Sequence, residues 1–321
     1  MYPRAAVAAI LCAIFAGVAV AQAPRTSFVP VEPGVRLEVL DWGGVGRPVV
    51  LLAGNGQTAH SFERFAPLLA QHYRVYGITR RGFGASSRPT TGYLVERLAD
   101  DVLAVVDSLG LERPVIAGHS RAGAELSSIG GRHPEKIAGL VYLDAGYNYA
   151  IYDSTRGDYV IDVAELKRRL DRFQDVANRG QLASMDSLLT TLLRVDLPAL
   201  QRDLTTMQQT LGDFREGQTL MPPRAGGVTG TMSDGLQRHT RVDAPVLAIF
   251  NVVGAPAGVG TDSAITRAWL RTVRGAPGTF ARGVPQARVV VLPNATHFVF
   301  DSNPADVLRE MRAFIDALPR Q

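Results

Sequence analysis

The chain has 321 residues, of which 46% are apolar, and it carries one cysteine and a formal net charge of +4. This length and apolar content are sufficient to bury a large core in one α/β domain with an insertion. The arginines are scattered among acidic residues and form no clustered basic stripe, which argues against nucleic-acid binding.

The N-terminus has the pattern of a secretory signal peptide. Met1–Arg4 is short and positively charged, and Ala5–Val20 is an uninterrupted apolar run. Ala19-Val20-Ala21 offers a small-x-small cleavage site, so we expect residues 1–21 to be removed. A permanent membrane anchor is disfavoured, because the run is shorter than the roughly 20 apolar residues that a spanning helix needs. The pattern predicts an exported protein, periplasmic or secreted, that meets the membrane only transiently during export.

The single cysteine, Cys12, lies within this apolar run. After cleavage the chain would contain no thiol, which excludes disulfides, cysteine nucleophiles and thiolate metal sites together. The stability of the mature protein would therefore depend on packing.

Short apolar segments alternate with helical segments along the rest of the chain. Val35–Trp42 alternates between polar and apolar residues, and we expect it to be a half-exposed antiparallel edge strand at which the sheet begins. The more continuous apolar segments predict buried strands of a mostly parallel sheet, namely Pro48–Ala53, Tyr73–Ile78, Pro114–Ala117, Gly139–Leu143, Pro245–Phe250 and Val289–Leu292.

Two amphipathic segments predict helices that cover this sheet. Leu94–Leu109 has apolar residues at helical spacing, and Pro304–Leu318 has a similar stripe that begins at a proline suited to a first turn. Residues 147–242 show helical patterns but no clear buried strand, which predicts an inserted helical cap. The predicted core is therefore formed by residues 22–146 and 243–321.

A serine lies where a predicted strand meets a predicted helix. Pro114–Ala117 leads directly into Gly118-His119-Ser120-Arg121-Ala122-Gly123 and then into a helix-compatible run. A serine on such a sharp turn is held clear of the backbone, and small neighbours let the strand and helix approach. The pattern predicts a nucleophile elbow with Ser120 as the nucleophile. Ala122 stands where the usual Gly-x-Ser-x-Gly pattern has its second glycine.

A serine hydroxyl needs a base that can take its proton, and histidine, with a reference pKa near ~6.5, is the usual one. Of the six histidines, only His297 follows the last predicted strand and precedes the C-terminal helix. That position lies at the carboxyl edge of the sheet, beside the elbow. We therefore predict that His297 is the general base.

With these residues in place, the chain resembles the α/β-hydrolase superfamily over nearly all of its predicted mature length. The order serine, acid, histidine matches that family. Arg81-Gly82-Phe83-Gly84-Ala85-Ser86 resembles the loop after its fourth strand, and Gly139–Asp144 resembles its sixth strand. The resemblance implies an α/β-hydrolase fold, in which helices flank a mostly parallel central sheet and a helical cap is inserted.

The resemblance leaves two candidates for the acid that orients His297. The family most often places it after the seventh strand, where Asn251–Pro256 contains no carboxylate and Asp262 follows only after a longer glycine-rich loop. Asp144 occupies the position that some members, notably one branch of the haloalkane dehalogenases, use instead. We favour Asp144, whose carboxylate would fix the tautomer of His297 and stabilise its imidazolium. The alternative role for Asp144 is to brace the cap entrance.

The family builds its oxyanion hole from two backbone amides, one after the nucleophile and one after the third strand. The resemblance therefore implies the amides of Arg121 and Asn55. Ala53-Gly54-Asn55-Gly56 replaces the usual His-Gly pair, and an ordinary tight turn is the alternative, since Gly-Asn-Gly is common in turns of any protein.

Together these residues predict a serine hydrolase that cleaves a carboxylic ester, or a related small-molecule acyl substrate, without a metal or organic cofactor. Thioesterase, amidase, carbon–carbon hydrolase and cofactor-free haloperoxidase or perhydrolase chemistry would use the same triad and stay open. A catalytically silent binding protein is the rival from another class, because no acid follows strand seven and the oxyanion turn is altered. Tyr147, Tyr149 and Tyr152 either line the pocket or pack in the core.

Overall fold

The computed structural model describes residues 23–211, 226–251 and 264–319. The predicted signal peptide, with Cys12, and the alternative acid Asp262 lie outside the described residues.

One sheet forms the centre of the described structure. Its strands lie in the order β1-β2-β4-β3-β5-β6-β7-β8. β1, β2 and β4 pair in antiparallel fashion, and every pair from β4 to β8 is parallel. The predicted α/β-hydrolase fold is thus confirmed. The strands are β1 Arg25–Glu32, β2 Val35–Gly43, β3 Pro48–Leu52, β4 Arg74–Ile78, β5 Val115–His119, β6 Gly139–Leu143, β7 Val246–Asn251 and β8 Arg288–Leu292.

The helices in the described ranges follow the alternation that the sequence predicted for the core. None of them is both long and apolar enough to cross a lipid bilayer. They are α1 Ala66–Ala70, α2 Val95–Ser108, α3 Ala122–Arg132, α4 Tyr159–Asn178, α5 Leu182–Thr191, α6 Leu197–Thr210, α7 Gly227–Asp234, α8 Ala264–Gly283, α9 Val299–Ser302 and α10 Pro304–Ala317.

The central strands are buried on both faces because helices cover each side. Alternate residues of a strand point to opposite faces, so Ile116 of β5 packs on the side of α2, α3 and α8, whereas Val115 and Ala117 pack on the side of α1 and α10. This two-sided burial explains why the central strands are continuous apolar runs in the sequence.

The prediction that the sheet begins at Val35–Trp42 is wrong. β1 pairs with β2 from Arg25↔Asp41 to Glu32↔Val35 and forms the true edge, so β2 lies inside the sheet. β1 gave no apolar signal, because Val29 is its only buried residue and Pro30 interrupts it. An edge strand tolerates both features, since one of its sides needs no hydrogen-bonding partner.

Between β6 and β7, the described residues form α4–α7, within the interval for which the sequence predicted a cap. A buried ion network ties these elements together. Arg238 contacts Asp162 of α4 at 2.6 Å and Asp196 at 2.8 Å, and Arg202 of α6 contacts Asp162 at 3.1 Å. Both aspartates are fully buried, so these ion pairs fix the packing of the helices.

A second buried ion pair holds the loop after β4 against α2. Arg81, which is 1% exposed, donates two hydrogen bonds to the carboxylate of Asp101, at 2.6 and 2.7 Å. Arg81 also contacts Glu32 of β1 at 2.8 Å. The bidentate geometry fits a guanidinium to a carboxylate and aligns three segments of the chain.

We predict that Asp101→Ala lowers the free energy of unfolding by about 3–5 kcal/mol, because it leaves a buried guanidinium without its main partner. Asp107→Ala, on the same helix, removes an exposed ion pair with Lys136 and should cost about 0–1 kcal/mol. Urea denaturation of the wild type and both variants measures the difference. Equal losses in the two variants would contradict the prediction.

Candidate active site

Ser120 lies on a sharp turn between β5 and α3. β5 ends at His119, α3 begins at Ala122, and Ser120 adopts a φ of 51°. That left-handed conformation is strained for a residue with a side chain and is kept only where the surrounding structure enforces it. The amide of Ser120 donates to the carbonyl of Leu143 at 3.2 Å, which ties the turn to the end of β6.

The packing around the turn explains its departure from the usual glycine pattern. A Cβ atom added at Gly118 would lie 3.0 Å from the Cβ of Ala122, so the alanine methyl fills the space that Gly118 leaves. A Cβ atom added at Gly123 would lie 2.0 Å from the carbonyl oxygen of Ala145, which no side chain could tolerate. The glycine is therefore required at 123, and an alanine fits at 122.

The structure brings Ser120, His297 and Asp144 together in one hydrogen-bonded chain. His297 lies between β8 and α9, and its Nε2 is 2.9 Å from the hydroxyl of Ser120. Its Nδ1 is 2.6 Å from a carboxylate oxygen of Asp144, which follows β6. These three residues come from the carboxyl ends of three parallel strands, which meet at one edge of the sheet.

The carboxylate of Asp144 is completely buried and is held by two donors besides His297. Its second oxygen accepts from the hydroxyl of Tyr147 at 2.8 Å and from the amide of Asn251 at 3.2 Å. Burial, and then the charge of Asp144, raise the pKa of Tyr147, so this hydroxyl stays a neutral donor. The end of β7, where the family usually carries the acid, thus donates a hydrogen bond to an acid on β6.

His119 packs beneath His297 and supports its backbone. The ring of His119 is 4.6 Å from that of His297, and its Nε2–H donates to the carbonyl of His297 at 3.0 Å. Burial, followed by the proximity of His297, lowers the pKa of His119 to about 4. The residue is therefore neutral near pH 7. From the sequence alone, only the adjacency of His119 to Ser120 is visible, because the contact with His297 spans 178 positions.

The turn that contains Asn55 approaches the nucleophile closely. A Cβ atom at Gly54 would lie 3.2 Å from the Cβ of Ser120. Arg80 donates to the carbonyls of Ala53 at 3.0 Å and of Gly54 at 3.3 Å, which fixes the turn beside the elbow.

The two amides predicted to form the oxyanion hole lie on this turn and on the elbow. Within the described ranges, neither the Asn55 amide nor the Arg121 amide donates to a backbone carbonyl outside regular secondary structure.

A cleft of about 930 Å³ lies beside α4 and α7, and Asn55 lines it. Its walls also include residues 90–94 and side chains of α4 and α7, such as Val160 and Ser233. This volume is within the range of small-molecule sites. Among the residues that the structure describes, no three histidine, cysteine or acidic side chains cluster in a way that could hold a metal ion.

The three tyrosines after β6 have different environments. Tyr147 donates to Asp144, and Tyr152 donates to Asp162, which also pairs with Arg238. Tyr149 lies beside the guanidinium of Arg121, which is 5.6 Å from its ring. Tyr149 is thus the tyrosine placed nearest to the elbow side chains.

Comparison with known proteins gives a consistent family. A model described as "Alpha/beta hydrolase family" matches residues 49–310. The 2-(acetamidomethylene)succinate hydrolase of Mesorhizobium japonicum is 24% identical over 280 residues, covering 85% of this chain and 90% of the relative. The crystal structure of a bromoperoxidase from Bacillus anthracis superposes with a TM-score of 0.57 at 19% identity, covering 91% of this chain and 100% of the other.

Several relatives match over a shorter stretch. Fluoroacetate dehalogenase from a Burkholderia species is 34% identical over 116 residues, which is 35% of this chain and 38% of the relative. Epoxide hydrolase A of Mycobacterium tuberculosis is 36% identical over 114 residues, which is 34% of this chain and 35% of the relative. The chain thus spans well under half the length of these two relatives.

We predict that acid weakens the fold through His119. Between its ordinary pKa of 6.5 and its folded value of about 4, the unfolded chain binds a proton that the folded chain does not, so stability falls as the pH decreases. Between pH 6.5 and 5 the free energy of unfolding should fall by about 1.5 kcal/mol because of His119, and His119→Gln should remove this contribution. Urea denaturation at the two pH values measures it. The exposed His72→Gln is the matched control, and an unchanged pH dependence in His119→Gln would refute the prediction.

Proposed function

The chain belongs to the alpha/beta hydrolase family, and from this premise we propose that it is a serine hydrolase that cleaves a carboxylic ester or a related acyl compound. The observation that carries this proposal is the continuous chain of hydrogen bonds from Ser120 through His297 to Asp144. Acyl transfer requires a nucleophile, a general base and a group that orients the base, and these three residues supply them in that order.

In the first step the hydroxyl of Ser120 attacks the carbonyl carbon of the substrate. Its proton passes to Nε2 of His297, which is 2.9 Å away and accepts a hydrogen bond from the hydroxyl in the resting state. The imidazolium then returns this proton to the leaving alcohol. The products of this step are the free alcohol and an acyl group esterified to Ser120.

Asp144 orients His297 so that Nε2 can accept the proton of Ser120. Its carboxylate accepts from Nδ1–H of His297 at 2.6 Å, which leaves Nε2 free of a proton and facing Ser120. The bonds from Tyr147 and Asn251 hold the carboxylate in place, so it stabilises the imidazolium without moving. In this proposal Asp144, and not Asp262, is the acid of the triad.

The negative charge that forms on the carbonyl oxygen needs donors that are already in position. We assign these to the amides of Arg121, at the start of α3, and Asn55, on the turn that Arg80 fixes. Preorganised donors of this kind cost no rearrangement during the reaction.

Hydrolysis is completed when His297 activates a water molecule that attacks the acyl-enzyme. Other acceptors or leaving groups would give other activities on the same residues. A peroxide acceptor would give the perhydrolase or haloperoxidase reaction suggested by the bromoperoxidase of similar fold, and a thioester or amide substrate would change only the leaving group. An ester is favoured over an amide because an alcohol is an easier leaving group than an amine.

Dehalogenation and epoxide opening, the activities named for two of the shorter-matching relatives, are disfavoured. These reactions use an aspartate nucleophile at the elbow, where this chain carries Ser120. We also propose export directed by residues 1–21 and a cap formed by residues 147–242, on the sequence patterns described above.

We predict that a fluorophosphonate probe labels Ser120 of the wild type, because the reagent reacts only with a serine that is activated by a base. Labelling should be abolished in Ser120→Ala and reduced by orders of magnitude in His297→Ala. Mass spectrometry of the labelled peptide identifies the site. An inert wild-type Ser120 would instead support a binding protein that has kept the fold.

We predict that Asp144→Asn lowers kcat on 4-nitrophenyl esters by about 10⁴-fold, because it stabilises the wrong tautomer of His297. Asp262→Asn is the matched control and should change kcat by less than about threefold, since we assign it no catalytic role. Steady-state kinetics of both variants decide the question. The reverse result would transfer the role of the acid to Asp262.

A further inference from the structure

Arg121 follows the nucleophile directly, and among the described residues no carboxylate forms an ion pair with its guanidinium. Its only side-chain hydrogen bond in the described part of the chain goes to the hydroxyl of Ser233 on α7, at 3.2 Å. Its guanidinium lies 5.6 Å from the ring of Tyr149. No ion pair joins it to an acidic side chain among the described residues.

This lack of a partner is unusual in the molecule. Most other arginines that are withdrawn from solvent contact an acid, as do Arg74 with Asp41, Arg80 with Glu125, Arg81 with Asp101, Arg202 with Asp162 and Arg238 with Asp196. A charge taken out of water is costly unless an opposite charge or several hydrogen bonds replace the lost hydration.

The acids nearest to Arg121 are already committed to other groups. Glu125 is paired with Arg80, and Asp158 accepts the amides of Val160 and Ile161 at the start of α4. Burial lowers the pKa of Arg121, and the nearby charges of Asp158 and Glu125 offset this effect only in part. The surroundings of Arg121 therefore favour the arrival of an additional anion.

The position of Arg121 indicates where that anion would lie. The residue follows Ser120 directly, and its partner Ser233 lines the cleft beside α4 and α7. A guanidinium has five N–H donors in a planar fork that matches the two oxygens of a carboxylate. Ser233 accepts from one of these donors, and the others have no side-chain acceptor among the described residues.

We propose that the guanidinium of Arg121 binds a carboxylate on the substrate, so that the enzyme acts on acyl compounds that carry a second, ionised carboxyl group near the scissile bond. This inference rests on the proposed acyl hydrolysis and adds the class of substrate. Arg121 thereby has two separate roles, because its amide faces the oxyanion and its side chain holds the carboxylate.

Two pairs of esters test this assignment. In the first pair, mono-4-nitrophenyl succinate, with its carboxylate on the acyl side, is compared with its neutral methyl ester. In the second pair, 4-acetoxybenzoate, with its carboxylate on the alcohol side, is compared with methyl 4-acetoxybenzoate. For each pair the readout is the ratio of kcat/KM for the charged ester to that for the neutral ester. We expect a ratio above one for at least one pair in the wild type.

Arg121→Gln should lower that ratio by about tenfold or more, because it removes a charge-assisted hydrogen bond while keeping the backbone amide. Arg132→Gln removes the same charge from the other end of α3, where Arg132 contacts Asp100, and should keep the wild-type ratio. An unchanged ratio in Arg121→Gln, or a wild type that prefers neither charged ester, would overturn the proposal.

A binding measurement separates this inference from the proposed hydrolysis. Isothermal titration of succinate into the wild type should show saturable binding, weakened tenfold or more in Arg121→Gln and unchanged in Arg132→Gln. If Ser120 proved inert towards fluorophosphonate and esters, the hydrolase proposal would fail. Saturable succinate binding that is weakened in Arg121→Gln would still support the anion site. Equal binding of succinate by the wild type and Arg121→Gln would refute the anion site alone.

Discussion

The hydrogen bond between the buried carboxylate of Asp144 and the imidazole of His297 is the interaction on which the proposed chemistry depends. It joins the end of β6 to the loop after β8, across the intervening strand β7. Asn251, at the end of that strand, donates to the same carboxylate, so three adjacent strand ends converge on one acid. The parallel sheet makes this convergence possible, because its carboxyl ends all open at one edge.

The elbow completes this arrangement under strain. The hydrogen bond from its amide to Leu143 holds Ser120 at positive φ. The close packing of Gly123 against the carbonyl of Ala145 fixes the start of α3. A strained conformation persists only where the surrounding packing over-determines it. The rigid packing on both faces of the sheet therefore holds the hydroxyl of Ser120 within hydrogen-bonding distance of His297.

The arginines that stabilise the fold differ from Arg121 in their partners. The guanidinium groups of Arg81 and Arg238 are matched by buried carboxylates, which makes them structural. Among the described residues, the guanidinium of Arg121 contacts a hydroxyl and an aromatic ring and no carboxylate. This contrast is the basis on which we propose a ligand-binding role for Arg121.

The sequence by itself determined the fold class, the elbow at Ser120 and the choice of His297, because each depends on a local pattern of apolar runs, small residues and order along the chain. It missed β1, since an edge strand buries little and needs no apolar period, and it left α8 unpredicted. It favoured Asp144 only through a resemblance. The tertiary structure decided that the carboxylate of Asp144 lies against His297, that His119 supports the same residue, and that no acid in the described part of the chain pairs with Arg121. These facts concern contacts between residues far apart in sequence, and only the closing of the sheet brings such groups to hydrogen-bonding distance.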